Sequence, residues 1–183
     1  MIFRYTRPDE NRRVICLNQP PANQGRFIEE FPAFTIAIWA KLDGEASPIG
    51  EESIISFGSV NVDMIGISYH VNEGRNLLRF TVGAKNTRAP VEVQPIPDGC
   101  VGRWCHYALS YDQGVVSGFV NGRAVARQSN VTVRLVRHTA GLGIHWWDDG
   151  AGVSTRFLGA IKEVRIYDRA LSPDDIADMA QAP

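Results

Sequence analysis

The sequence predicts an all-β domain, a two-sheet antiparallel sandwich with one short C-terminal helix. Three observations carry this. Short runs of period-two alternation recur along the chain, separated by Gly, Pro, Asn and Asp turn signals. Asn121-Gly122 lies between two such runs and is the strongest local hairpin signal, because both residues tolerate the positive φ that a type I′ turn demands. The chain also closes with a long strand that runs directly into a capped turn of helix over residues 157–180.

In chain order, residues 2–5 and 13–17 are the first candidate strands, the second leading to the Pro20-Pro21 break. Residues 34–42 alternate strictly: Phe34, Ile36, Ile38, Ala40 and Leu42 share one face, and Thr35, Ala37, Trp39 and Lys41 the other. Residues 43–52 read as a polar loop, and 53–57, 64–71 and 77–82 as strands, with a Gly-containing turn over 72–75. Residues 90–102 are punctuated by Pro and Gly and expected to be irregular, apart from a short extended piece at 91–94. Strands are expected at 104–111, 115–120, 124–128, 131–136 and 141–146.

In the closing strand, simple alternation places Leu158, Ala160, Val164 and Ile166 on one face. Phe157, Gly159, Ile161, Glu163, Arg165 and Tyr167 then fall on the other. The strand ends at Asp168-Arg169. Ser172 is the expected N-cap, Pro173 the first helical residue, and Asp174 and Asp175 place negative charge at the positive end of the helix dipole. Ile176, Met179 and Ala180 supply one apolar stripe.

The totals bound the class. A chain of 183 residues fits one domain over 1–183, large enough to bury a continuous core. With 44% hydrophobic and 21% charged residues it is an ordinary globular composition, which excludes disordered and collagen-like chains. A net charge of −1, with no basic run interleaved with aromatics, points away from nucleic acid. No apolar run reaches the ~18 residues needed to span a bilayer, so membrane insertion is not expected. The N-terminal residues lack a signal-peptide pattern, so the expectation is a soluble chain without its own export signal. The three cysteines, Cys16, Cys100 and Cys105, form no C-x-x-C pair, and free thiols are expected.

Three stretches carry a resemblance: F-T-I-A-I-W-A-K at 34–41, W-C-H-Y-A-L-S-Y-D-Q-G-V-V-S-G-F-V-N-G-R-A-V at 104–125, and the strand-helix unit at 157–180. In this order they resemble motifs of the laminin-G-like, pentraxin and concanavalin A-like jelly-roll families. The resemblance implies a jelly roll over nearly the whole chain. Related glucanases carry an E-x-D-x-x-E strand, which places a carboxylate pair ~5 to 5.5 Å apart for retaining chemistry. That pattern is absent, Glu163 and Asp168 are expected on opposite faces, and no G-x-S-x-G elbow occurs. No catalytic residue is expected.

Pentraxin calcium ligands, carried over by the surrounding motifs, fall at Val62-Asp63 and near His145-Trp146-Trp147. Only Asp63 keeps a suitable oxygen, with Asp148 and Asp149 displaced beyond the second position. The double-calcium site is not expected, and Asp63, Asp148 and Asp149 remain as candidate ligands for a single weaker calcium ion. The pentraxin intersheet disulfide would join Cys105 to a position near Ala37, so that bridge is not expected either.

The most chemically expressive stretch is H-W-W-D-D-G-A-G-V-S-T at 145–155. Alternation from Leu142 and Ile144 turns Trp146 inward and His145 and Trp147 outward. An outward indole beside carboxylates and small residues suits a sugar, whose C–H face stacks on the ring while polar groups take the hydroxyls. The candidate ligand-binding residues are therefore His145, Trp147, Asp148, Asp149 and Ser154. The alternative is that Trp147 folds back to cap the sandwich and the Asp residues form a turn.

The functional expectation is a non-catalytic, lectin-like module that binds a glycan or glycosylated surface and serves adhesion. The alternatives are a structural or decorating subunit of a larger assembly such as a phage virion and, last, a glycoside hydrolase.

Overall fold

The strict alternation at Phe34–Leu42 becomes the centre of the molecule: Phe34, Ile36, Ile38, Ala40 and Leu42 are all fully buried on the inner face of one strand. The computed structural model describes residues 2–3, 15–16, 33–43, 51–58, 63–72, 75–84, 91–93, 96–97, 99–131, 140–146 and 153–181. They form β1 (Ile2–Phe3), β2 (Ile15–Cys16), β3 (Ala33–Leu42), β4 (Glu51–Gly58), β5 (Asp63–Asn72), β6 (Arg75–Ala84), β7 (Val91–Val93), β8 (Trp104–Asp112), β9 (Val115–Val120), β10 (Arg123–Gln128), β11 (Ala140–Leu142), β12 (Ile144–Trp146), β13 (Val153–Arg156), β14 (Gly159–Tyr167) and the helix α1 (Pro173–Met179).

The strands make two six-stranded sheets, β1-β14-β3-β8-β9-β10 and β2-β11-β4-β5-β6-β7, and a small β12-β13 pair. This is the jelly-roll sandwich expected from the sequence. The inner side chains of β3 face Ile65, Ile67, Leu78, Phe80 and Val82 of the second sheet in one continuous core. Packing across the sheets is tight enough to require a missing side chain, since a Cβ on Gly118 of β9 would overlap the ring of Phe80. The expected I′ turn is present, with φ of 48° at Asn121 and 78° at Gly122.

The helix begins as its sequence dictates. The Ser172 hydroxyl accepts from the Asp175 amide at 3.1 Å, and the Asp175 carboxylate accepts from the Ser172 amide at 3.2 Å. This reciprocal capping box satisfies two amides that the first helical turn leaves without partners. Ile176 then buries completely against Ala37, Ala108, Phe119 and Leu171 on the outer face of the first sheet. Thr35, also on that face, donates to the Arg169 carbonyl at 3.0 Å and accepts from the Leu171 amide at 2.9 Å, fastening the chain just before the helix.

Three sequence expectations change, and a fourth lies mostly outside the described residues. Glu51 and Glu52 belong to β4 rather than to a polar loop, and Glu52 is buried with its carboxylate accepting from the Leu158 amide at 2.9 Å. Two adjacent glutamates read as solvated residues, but the amide across the sandwich end gives one of them a buried partner. The stretch 141–146 is not one strand: Gly143 turns at φ 69°, sending β11 into the second sheet and β12 into the small pair. The strand expected at 131–136 lies, from residue 132 on, outside the described residues.

The largest change is in β14. Its register against β3 shifts between Lys162 and Val164, and Glu163 sits at φ 50°, so a β-bulge interrupts the alternation. Ile161, Val164 and Ile166 all join the core, which continuous alternation forbids. Ala160 and Lys162 are consequently turned to the outer face, where the bulge re-aims them.

Candidate functional site

The outer face of the first sheet is built of cross-strand rows. Arg165 pairs with Ala37 and Ala37 with Ala108, and this is the row that α1 covers. The next row is Lys162, Trp39 and His106, and beyond it come Ala160, Lys41 and Trp104. Small residues admit the helix; past its end the face carries two indoles. Lys162 reaches over both of them, its Nζ 5.1 Å from the Trp39 ring centroid and 4.7 Å from that of Trp104. Both distances are within the range of a cation–π attraction. Trp104 is 40% exposed, one of two large hydrophobic side chains so exposed among the described residues; the other is Val101.

Trp104 sits on a tied-down turn. Cys100 and Cys105 are joined by a disulfide, with Cα atoms 5.6 Å apart, which corrects the expectation of free thiols for these two residues. An odd cysteine count leaves one thiol over and says nothing about the other two. Their four-residue spacing closes a tight loop with a Cα separation suited to a bridge. The Gly102 amide donates to the Leu42 carbonyl at 2.7 Å. Asn121 completes the support: its side-chain oxygen accepts from the His106 amide at 2.9 Å, and its side-chain nitrogen lies 3.3 Å from the Cys105 sulfur.

His106 lies beneath this surface. It is 2% exposed, its ring centroid is 5.4 Å from that of Trp39, and its Nδ1 has no hydrogen-bond partner among the described residues. Burial holds its pKa down to about 4, the nearby Arg165 charge adds to the depression, and Glu163 opposes it. The imidazole is therefore neutral at physiological pH, and the positive charge of the surface comes from Lys41 and Lys162. Glu163 accepts from Arg165 through both Nε, at 2.8 Å, and Nη2.

The residues singled out from the sequence stand as follows. His145 and Ser154 lie on the paired strands β12 and β13, with His145 opposite Thr155 and Trp146 opposite Val153, so they share one small hairpin. The register shifts between His145 and Trp146, and Gly143 turns the chain before Ile144. The unbroken alternation from Leu142 to Trp146 therefore does not hold. Trp147, Asp148 and Asp149 lie outside the described residues. Asp63 opens β5 opposite Ala84, next to the Gly58 end of β4, whereas the chain leaves toward β12 at the level of Ile54. Among the described residues no group of three or more His, Cys, Asp or Glu is placed to hold a metal ion. Asp168 is exposed past the end of β14, so neither it nor the Arg165-bound Glu163 forms a strand-borne carboxylate pair.

The sequence patterns did not single out Trp39, Trp104 and Lys162 as a group. Trp39 was legible as an outward residue of β3, and Trp104 as the first residue of its hairpin. Lys162 was hidden because the bulge at Glu163 decides its face, and no local pattern announced the bulge.

Two antiparallel six-stranded sheets with a helix on one outer face define a jelly-roll sandwich domain. Residues 22–177 match the laminin-G-type model of the concanavalin A-like lectin/glucanases superfamily, and the chain belongs to that superfamily. Among solved structures it is similar to the heptameric SAP-like pentraxin of Limulus polyphemus, at 17% identity and TM-score 0.62, covering 82% of this chain and 70% of that one. It is also similar to the CBM40 of the Ruminococcus gnavus IT-sialidase, solved with α2,3-sialyllactose, at 17% identity and TM-score 0.64, covering 84% and 85%. A third is domain 4 of a GH43 extracellular arabinanase from Geobacillus stearothermophilus, solved with arabinotriose, at 23% identity and TM-score 0.58, covering 82% and 68%. At these identities the likeness establishes the shared fold.

Proposed function

We propose that the domain is a non-catalytic recognition module whose ligand is a glycan. The observation that carries this is Trp104, a half-exposed indole fixed on a disulfide-closed turn and flanked by Trp39, Lys41 and Lys162. A rigid aromatic face with polar groups at its rim suits the C–H side of a pyranose, and little ordering is needed on binding. The domains solved with sialyllactose and arabinotriose support the reading, since both hold saccharides on this fold. Use in surface adhesion, or as a decorating subunit of a larger assembly such as a virion, follows from whatever carries the domain.

A second contact region is the β12–β13 hairpin with His145, Trp147, Asp148, Asp149 and Ser154, favoured by the pairing that brings His145 and Ser154 onto neighbouring strands. Glycan-array binding by the wild type, Trp104→Ala and Trp147→Ala decides between the two regions. Loss of at least tenfold in affinity is expected for Trp104→Ala, the usual size for an aromatic anchor. Loss confined to Trp147→Ala moves the site to the hairpin. Repeating the array with chelator tests calcium at Asp63, Asp148 and Asp149.

A further inference from the structure

The rim of the Trp104 surface is made of donors. Lys162 is held over the two indoles, and Lys41 stands opposite Trp104 across the β3–β8 pair. Among the described residues neither ammonium has a carboxylate partner. The one carboxylate on β14, Glu163, is engaged by Arg165, and Asp43 is exposed beyond the end of β3. An ammonium offers three donors and no acceptor. A neutral sugar hydroxyl must also donate, so it is served best by side chains that accept. A carboxylate or sulfate only accepts, and it gains charge-assisted hydrogen bonds from such a rim.

From this we infer that the ligand class is an acidic saccharide. Its carboxylate or sulfate is bound between Lys41 and Lys162 while a sugar ring stacks on Trp104. The inference rests on the reading of this surface as the glycan site and adds the charge of the ligand. The bulge at Glu163 is then a specificity device, because it places Lys162 outside the core and over the aromatic pair. Fixing the ammonium in advance reduces the ordering cost of binding the anion.

The test is an array of matched saccharides: uronates with their methyl esters, sialylated with desialylated chains, and sulfated with desulfated chains. The wild type, Lys41→Gln, Lys162→Gln and Trp104→Ala are compared, each first checked by thermal melting. The acidic member of a pair should bind at least tenfold more tightly. Lys162→Gln and Lys41→Gln should each erase most of that preference. The uronate, sialylated and sulfated pairs then separate a carboxylate from a sulfate as the anion recognised. Equal binding of acidic and neutral members, with loss in Trp104→Ala, overturns the acidic inference and keeps the glycan site. Acidic preference unaffected by either lysine variant also overturns it. If folded Trp104→Ala binds like the wild type, or no saccharide binds at all, the reading of the surface as a glycan site fails and this inference fails with it.

Discussion

The outer face of the first sheet is one surface with two fates. At one end Ala37 and Ala108 leave room for α1, whose Ile176 is fully buried there. At the other end the same strands carry Trp39 and Trp104, the Lys162 side chain reaches over both rings, and Trp104 is 40% exposed. Both ends belong to the same hydrogen-bonded ladder. The difference is the size of the outward side chain and whether a covering element reaches it. The helix end uses its apolar area to stabilise the fold, and the tryptophan end leaves apolar area available to a ligand. Substitutions should separate the two in kind: stability for one end, binding for the other.

The largest expected effect is at the helix end. Ile176→Ala removes a fully buried side chain and should destabilise the domain by about 4 kcal/mol, measured by denaturant unfolding, with saccharide binding by the folded fraction unchanged. Parallel loss of binding in a still-folded protein would show that the two ends are coupled.

Next is acid sensitivity at the border between them. His106 has a pKa held at about 4 against an ordinary value of 6.5, so the native imidazole stays neutral where the unfolded one takes up a proton. Its contribution is fully present above pH ~6.5 and is lost as pH falls toward 4, by about 3 kcal/mol in all. Unfolding midpoints between pH 7 and 4 should show this decline, and His106→Gln should flatten it. An equally steep decline in that variant would remove His106 as the cause.

A smaller effect belongs to the tryptophan end. Reducing the Cys100–Cys105 bridge opens a short loop and should cost about 2 kcal/mol on chain-entropy grounds. Because that loop carries Trp104, binding should weaken as well, unlike in Ile176→Ala. Unchanged binding by the reduced, folded protein would mean that Leu42, Gly102 and Asn121 hold the turn without the bridge.

Ser172→Ala closes the series at about 1 kcal/mol, the loss of one N-cap acceptor, with binding untouched. The Asp175 pKa is lowered, first by the Ser172 hydroxyl and then by the Ser172 amide, so the cap stabilises above the ordinary carboxylate range. Its contribution is lost as pH falls through the depressed value, and Ser172→Ala should remove that acid step. A binding defect in this variant would place the helix start in the site.

What the sequence determined by itself is what short-range physics writes locally. Alternation in residues 34–42 set the inner face of β3, Asn121-Gly122 set a turn by its tolerance of positive φ, and Ser172, Pro173 and Asp175 set the helix start. Each depends on residues within a few positions of one another. Tertiary structure alone decided the bulge at Glu163, the buried acceptor role of Glu52, and the Cys100–Cys105 bridge. It also decided the meeting of Lys162 with Trp39 and Trp104 across three strands. A side-chain period of two carries no record of where it is broken, and one extra residue in a strand reverses every face beyond it. The place of Lys162 in the surface proposed to bind ligand depends on that reversal, which is why the inner face of β3 could be read from the chain and the face of Lys162 could not.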